Sequence, residues 1–115
     1  MSGRVFVLED DRGWEAYYRR ILKGRELVFF NNGIEAIAAM DEEKPALVIL
    51  DVLLAGPTGF AVLNEMRSYP ELMNVPAAIV SSVSLGDDIA EKYGKTLAVK
   101  KLTLVNANRV VKKAI

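Results

Sequence analysis

The chain has 115 residues, of which 15 are basic and 15 acidic, so its formal net charge is zero. This length and an apolar share of 51% are typical of one ordinary globular domain. The sequence contains neither Cys nor His, which excludes disulfides, thiolate or imidazole metal ligands and a Ser-His-Asp triad. No apolar stretch is long enough for a membrane span, and a zero net charge gives no global attraction to nucleic acid or anionic membranes. We therefore expect a soluble cytoplasmic protein.

Short apolar runs alternate with segments of helical periodicity along the whole chain. Trp14, Tyr17, Tyr18, Ile21 and Leu22 recur at the spacing of an amphipathic helix, and Asp11 is placed to cap its start. Four further helices are predicted after the capping residues Asn32, Thr58, Ser84 and Thr103. Five strands are predicted over residues 4–8, 26–30, 46–50, 76–80 and 97–99.

This alternation predicts an α/β layered domain with a mostly parallel sheet and helices on both faces. The third predicted strand, over residues 46–50, is apolar throughout, as expected for a strand that is covered on both sides. In such sheets ligands bind beyond the carboxyl ends of the strands. The residues that directly follow each apolar run are therefore the first candidates for a functional site.

Four of the five predicted strands are followed by charged or hydroxyl side chains. Asp51 carries the strongest signal, because apolar residues flank it and a buried carboxylate is costly unless it is paired or binds a metal. The other candidates are the acidic residues Glu9, Asp10 and Asp11 after strand one, the hydroxyls Ser81 and Ser82 after strand four, and the cations Lys100 and Lys101 after strand five.

These side chains match the requirements of an aspartyl-phosphate site. If Glu9 and Asp10 lie close to Asp51, three like charges converge and require a cation or raised pKa values. Oxygen ligands without His or Cys favour a hard ion, and few dedicated ligands favour Mg²⁺ over Ca²⁺. A carboxylate nucleophile, Mg²⁺, Lys100 and Ser81 together can form and hold a phosphoryl group.

The residues resemble the receiver domain of response regulators, of the single-domain chemotaxis type. The resemblance spans residues 1–115 as one domain and is carried by four segments in the family's order and at near-family spacing. They are Val5-Phe-Val-Leu-Glu-Asp-Asp11, Leu47-Val-Ile-Leu-Asp-Val-Leu-Leu-Ala-Gly-Pro-Thr-Gly-Phe60, Val75-Pro-Ala-Ala-Ile-Val-Ser-Ser82 and Val99-Lys100. The resemblance implies a flavodoxin-like three-layer fold whose five parallel strands follow the order 2-1-3-4-5.

The same resemblance implies roles for individual residues. Asp51 would accept a phosphoryl group from a histidine kinase, a phosphotransfer protein or a small phosphodonor. Asp10, Asp51 and the Leu53 carbonyl would bind Mg²⁺, with Glu9 acting through a bound water. Lys100 would contact a phosphoryl oxygen, and the Ser81 hydroxyl would start a switch that acts on a downstream protein target, with no direct contact to nucleic acid or membrane.

Two other functions stay open. A receiver-fold interaction module that phosphorylation does not switch is suggested by Leu97 and Lys101, where the family usually has an aromatic residue and Pro. A multiple-turnover phosphatase of the haloacid-dehalogenase type is disfavoured, because the second Asp it requires is replaced by Leu53. A homodimer through the last helix is also left open by the sequence.

Overall fold

The computed structural model describes residues 3–9, 11–51 and 58–80, together with the backbone of residues 96–99. Its centre is a sheet of five parallel strands in the order β2-β1-β3-β4-β5, which confirms the predicted order and the flavodoxin-like fold. The strands are β1 (Val5–Leu8), β2 (Leu27–Phe30), β3 (Leu47–Asp51), β4 (Ala77–Val80) and β5 (Thr96–Val99).

Three α-helices connect the strands within the described ranges. They are α1 (Glu15–Ile21), α2 (Gly33–Glu42) and α3 (Gly59–Ser68). The predicted caps of the last two are confirmed, because the side chain of Asn32 accepts a hydrogen bond from the Glu35 N–H and that of Thr58 accepts one from the Ala61 N–H. The helices predicted after Ser84 and Thr103 lie outside the described residues.

The entry into α1 differs from the expected single helix. Asp11 caps a short 3₁₀ turn (Arg12–Trp14), accepting a hydrogen bond from the Gly13 N–H at 2.9 Å, and α1 begins only at Glu15. Trp14 therefore lies outside the apolar stripe that the helical spacing predicts. Its side chain packs edge-on against Tyr17 and remains 42% exposed.

Helices cover both faces of the sheet, as predicted. Tyr18, Ile21 and Leu22 of the α1 segment pack on one face, where Val7 and Ile49 point. Helices α2 and α3 pack on the opposite face against the alternate side chains of the same strands, including Phe6, Leu8, Val48 and Leu50. Residues 47–50 of β3 are fully buried because this central strand has a neighbour on each side and a helical layer on each face.

Within residues 3–9, 11–51, 58–80 and 96–99, no helix is long and apolar enough to cross a bilayer.

Candidate functional site

The candidate site lies at the carboxyl edge of the sheet, where β1 and β3 end side by side. The register pairs Leu8 with Leu50, so Glu9 and Asp51 are the next residues of two adjacent strands. Neighbouring strands lie about 4.8 Å apart, and alternation along each strand places both residues on the face of Val7 and Ile49. The two carboxylates therefore belong to one small region of the sheet edge.

Glu9 is held in position by its surroundings. Its N–H donates to the carbonyl of Phe30 at 3.0 Å, which ties the end of β1 to the end of β2. Its carboxylate accepts a hydrogen bond from the Asp11 N–H at 3.2 Å. Because one hydrogen bond fixes the backbone of Glu9 and another holds its carboxylate, this half-buried side chain has a defined position.

Asp51 is the final residue of β3 and pairs with Val80 of β4. Its side chain is half-buried, unlike the fully buried run before it, so the carboxylate meets both protein and solvent. A half-buried carboxylate at the end of a central strand can reach a ligand from solution while its backbone stays fixed by its pairing with β4.

Tyr18 of α1 packs on the face of the sheet that Glu9 and Asp51 share. Burial raises the pKa of the Tyr18 phenol, and the negative charges of Glu9 and Asp51 raise it further. The Tyr18 ring belongs to the same packed cluster as Val7 and Ile49, the residues two positions before Glu9 and Asp51. Its side chain is 5% exposed, so a neutral ring from the α1 layer packs beneath the site.

A groove of about 400 Å³ opens beside Glu9 between the ends of β1 and β2 and the first turns of the following helices. Four acidic side chains and one cation line it, which leaves its walls predominantly negative. The groove includes Asn31 and Glu35, which the sequence pattern does not mark as site residues. The adjacency of β2 and β1 in the sheet is the signal that brings them in. The lining residues are Glu9, Asp11, Arg12, Glu15, Phe29, Phe30, Asn31 and Glu35.

The structure brings together two of the predicted site residues, Glu9 and Asp51. The other four, Asp10, Leu53, Ser81 and Lys100, lie outside the described residues. Among the described residues no group of three acidic side chains converges as a ready metal site. The two carboxylates supply oxygen donors only, which is the donor chemistry that Mg²⁺ prefers.

Comparison with known proteins gives one consistent family. The family model described as the response regulator receiver domain matches residues 5–113. A curated relative, the response regulator Rcp1 of Synechocystis, is 24% identical over 100 residues, which covers 77% of this chain and 68% of that protein.

Two solved structures share the fold over almost the whole chain. The phosphorylated cyanobacterial phytochrome response regulator RcpA is 26% identical, with a TM-score of 0.73 and coverage of 97% of this chain and 90% of that one. The receiver domain of the sensor histidine kinase PA1611 from Pseudomonas aeruginosa, with a magnesium ion in its active-site cleft, is 16% identical. Its TM-score is 0.82, with coverage of 99% and 98%.

Proposed function

This chain belongs to the response regulator receiver domain family, and we propose that it accepts a phosphoryl group on Asp51 and signals through protein contacts. The proposal rests mainly on the position of Asp51 at the end of the central strand β3, one strand away from Glu9. A carboxylate in that position has a fixed backbone, and a phosphodonor can reach its side chain from solution. The phosphorylated relative RcpA supports the same chemistry.

The proposed reaction is a phosphoryl transfer between a nitrogen and an oxygen. A carboxylate oxygen of Asp51 attacks the phosphorus of a phosphohistidine on a histidine kinase or a phosphotransfer protein. The bond from phosphorus to the imidazole nitrogen breaks as the new bond to oxygen forms, and its electron pair leaves with the imidazole. The product is a mixed anhydride on Asp51, whose phosphoryl group carries about two negative charges in place of the single charge of the carboxylate.

The proposed metal site uses oxygen donors from the ends of two strands. Asp10, Asp51 and the Leu53 carbonyl are the proposed ligands of Mg²⁺, and Glu9 acts through a bound water. An ion held there offsets the negative charge of the phosphoryl oxygens. The absence of Cys and His from the chain and the magnesium ion in the Pseudomonas aeruginosa relative both support this assignment.

Two residues that directly follow strands complete the proposal. Lys100 follows β5, and we assign it a contact with a phosphoryl oxygen. Ser81 follows β4, and its hydroxyl is the proposed switch that turns toward the phosphoryl group. The new charge then biases an existing two-state equilibrium of nearby segments of this protein, and this changes the affinity for a downstream protein target.

In this proposal residues 1–115 form one receiver domain that signals rather than turns over a substrate. It catalyses its own phosphorylation, and its output is a change in protein contacts.

Intact-mass analysis after incubation with acetyl phosphate and Mg²⁺ tests the proposal. The chain should gain the mass of one phosphoryl group, and a chelator should prevent the gain. Asp51→Asn should abolish it, whereas the matched control Asp41→Asn, at an exposed position of α2, should react like the wild type. A wild-type chain without the adduct, or an Asp51→Asn variant that still carries one, would contradict the proposal.

A second measurement separates a switch from an unswitched interaction module. Once a partner is known, its affinity should change when beryllofluoride occupies the site of the wild-type chain. An unchanged affinity would leave Asp51 without a signalling role.

A further inference from the structure

Four cations cluster at the end of α1 and in the turn that follows it. Arg19, Arg20, Lys23 and Arg25 are all exposed, and no acidic residue interrupts residues 19–25. We call this surface the basic face. Because the chain has a net charge of zero, such a cluster is a local imbalance that is compensated elsewhere in the molecule.

The neighbouring acidic groups neutralise little of this charge. Glu15 reaches Arg19 at 3.5 Å, and solvent screens this pair because the Arg19 side chain is 59% exposed and that of Glu15 39%, so the pair contributes little. Glu26, the next acid along the chain, is paired with Arg4 at 2.9 Å. In the part of the chain that the structure describes, Lys23 and Arg25 form no ion pair. The helix dipole favours cations in the last turn of α1, but Lys23 and Arg25 lie beyond that helix.

Aromatic rings hold the two arginines of the helix. The guanidinium of Arg19 lies over the ring of Phe29, 4.9 Å from its centroid, and that of Arg20 lies over Tyr17 at 5.6 Å. A guanidinium held by a ring loses less conformational entropy when it binds a carboxylate, and its planar donors match that group. Arg and Tyr are also the residue types that contribute most at protein interfaces.

The sheet separates this positive surface from a negative one. Helices α2 and α3 pack on the face opposite α1, and among the described residues on that side exposed acidic side chains outnumber exposed basic ones. An approaching acidic partner is therefore attracted to α1 and repelled from the other side. The exposed acidic residues on that side are Glu35, Asp41, Glu42, Glu65 and Glu71.

We propose that the basic face docks an acidic segment of a partner protein, at a surface separate from the proposed phosphorylation site. Arg19 and Arg20 supply oriented contacts to carboxylates, and Lys23 and Arg25 supply longer-range attraction. We take the partner to be a protein because guanidinium groups held over rings bind carboxylates well, while the exposed acidic residues described on the opposite side repel a large polyanion.

Fluorescence anisotropy with a labelled synthetic peptide rich in Asp and Glu tests this proposal on the full chain. The wild type should bind the peptide, and added salt should weaken the binding. Lys23→Glu should weaken it by at least about fivefold, since the change removes one attraction and adds one repulsion. Lys44→Glu, which changes the net charge equally two residues beyond the end of α2, should change the affinity less than about twofold.

Three results would overturn the proposal. Equal losses in the two variants would mean that only net charge matters, and tighter binding of single-stranded DNA or of vesicles with anionic lipids would assign the face to another partner. Self-association that Lys23→Glu abolishes would assign it to a second copy of the chain. Asp51→Asn should leave peptide binding unchanged, and Lys23→Glu should leave phosphorylation by acetyl phosphate unchanged, so the two proposals can fail separately.

Discussion

Gly33, the first residue of α2, lies where that helix approaches α3 so closely that a side chain cannot fit. A Cβ atom built at Gly33 would lie 2.3 Å from Cγ2 of Val62, whereas carbon atoms in contact normally lie about 3.5–4.0 Å apart. The methyl group of Val62 would have to move by more than about 1 Å. It cannot simply rotate away, because a β-branched side chain in a helix has one strongly preferred rotamer.

We therefore expect Gly33→Ala to destabilise the protein. Overpacking of a buried site costs about 1–3 kcal/mol, and the stiffer unfolded chain offsets about 0.4–1 kcal/mol of this. The net loss in the free energy of unfolding is about 1–2 kcal/mol, measured by urea unfolding with an unchanged m-value. Gly3→Ala is the control, since a Cβ there meets nothing within 4 Å, and it should change the free energy by less than about 0.5 kcal/mol.

A double-mutant cycle tests the stated cause. Val62→Ala alone removes two buried methyl groups and should cost about 2 kcal/mol. In the double variant the new methyl of residue 33 occupies part of the emptied space, so its loss should be at least about 1 kcal/mol smaller than the sum of the two single losses. Additive losses, or a Gly33→Ala variant as stable as the wild type, would refute the close contact.

Two further predictions concern a buried phenol and a half-buried guanidinium. Because the folded-state pKa of Tyr18 is raised, its contribution to stability is complete below the unfolded pKa of about 10 and declines above it, as the unfolded chain releases its proton first. Between neutral pH and pH 11 the wild type should lose about 1.4 kcal/mol more than Tyr18→Phe in urea unfolding, and parallel pH profiles would contradict this. Arg67 donates through one nitrogen to the carbonyls of Leu72, Met73 and Val75 at 2.8–3.2 Å. Arg67→Ala should cost about 2–3 kcal/mol and Arg67→Lys less, and thermal unfolding that leaves both at the wild-type Tm would disprove the role.

The order of the layers could be predicted because the patterns that encode them are local. Unbroken apolar runs such as residues 47–50 indicate strands covered on both faces, and Asn32 and Thr58 mark the starts of their helices. The strand order came from the family resemblance, since local pattern does not state which strands are neighbours. For the same reason, the apolar run Leu27–Phe30 gave no sign that β2 is an edge strand and only half-buried.

The helix pattern failed at Trp14 for a physical reason. Periodicity places Trp14 on the buried stripe of α1, but the Asp11 cap and Gly13 favour a tight 3₁₀ turn before the helix. The turn rotates Trp14 away from the stripe and leaves it 42% exposed. Over only three residues, the spacing of apolar side chains does not distinguish a 3₁₀ turn from an α-helix.

The site could be predicted in part. Asp51 and Glu9 were identified because polar residues after apolar strands meet at one sheet edge, and the structure places both there. The groove beside Glu9 could not be predicted, because it combines residues of three separate segments whose approach depends on tertiary packing. The helical spacing predicts that Tyr18 faces the core, and its burial confirms this. Its position in the field of both carboxylates follows only from the folded arrangement.

Residue-level trapping of the phosphoryl group shows directly whether Asp51 is the acceptor. After incubation with acetyl phosphate and Mg²⁺, borohydride reduces an aspartyl phosphate to homoserine, and peptide mass spectrometry identifies the converted residue. We predict that Asp51 alone is converted to homoserine and that the conversion depends on Mg²⁺. Conversion at another carboxylate, or an unmodified Asp51 in a chain that has gained a phosphoryl group, would contradict it.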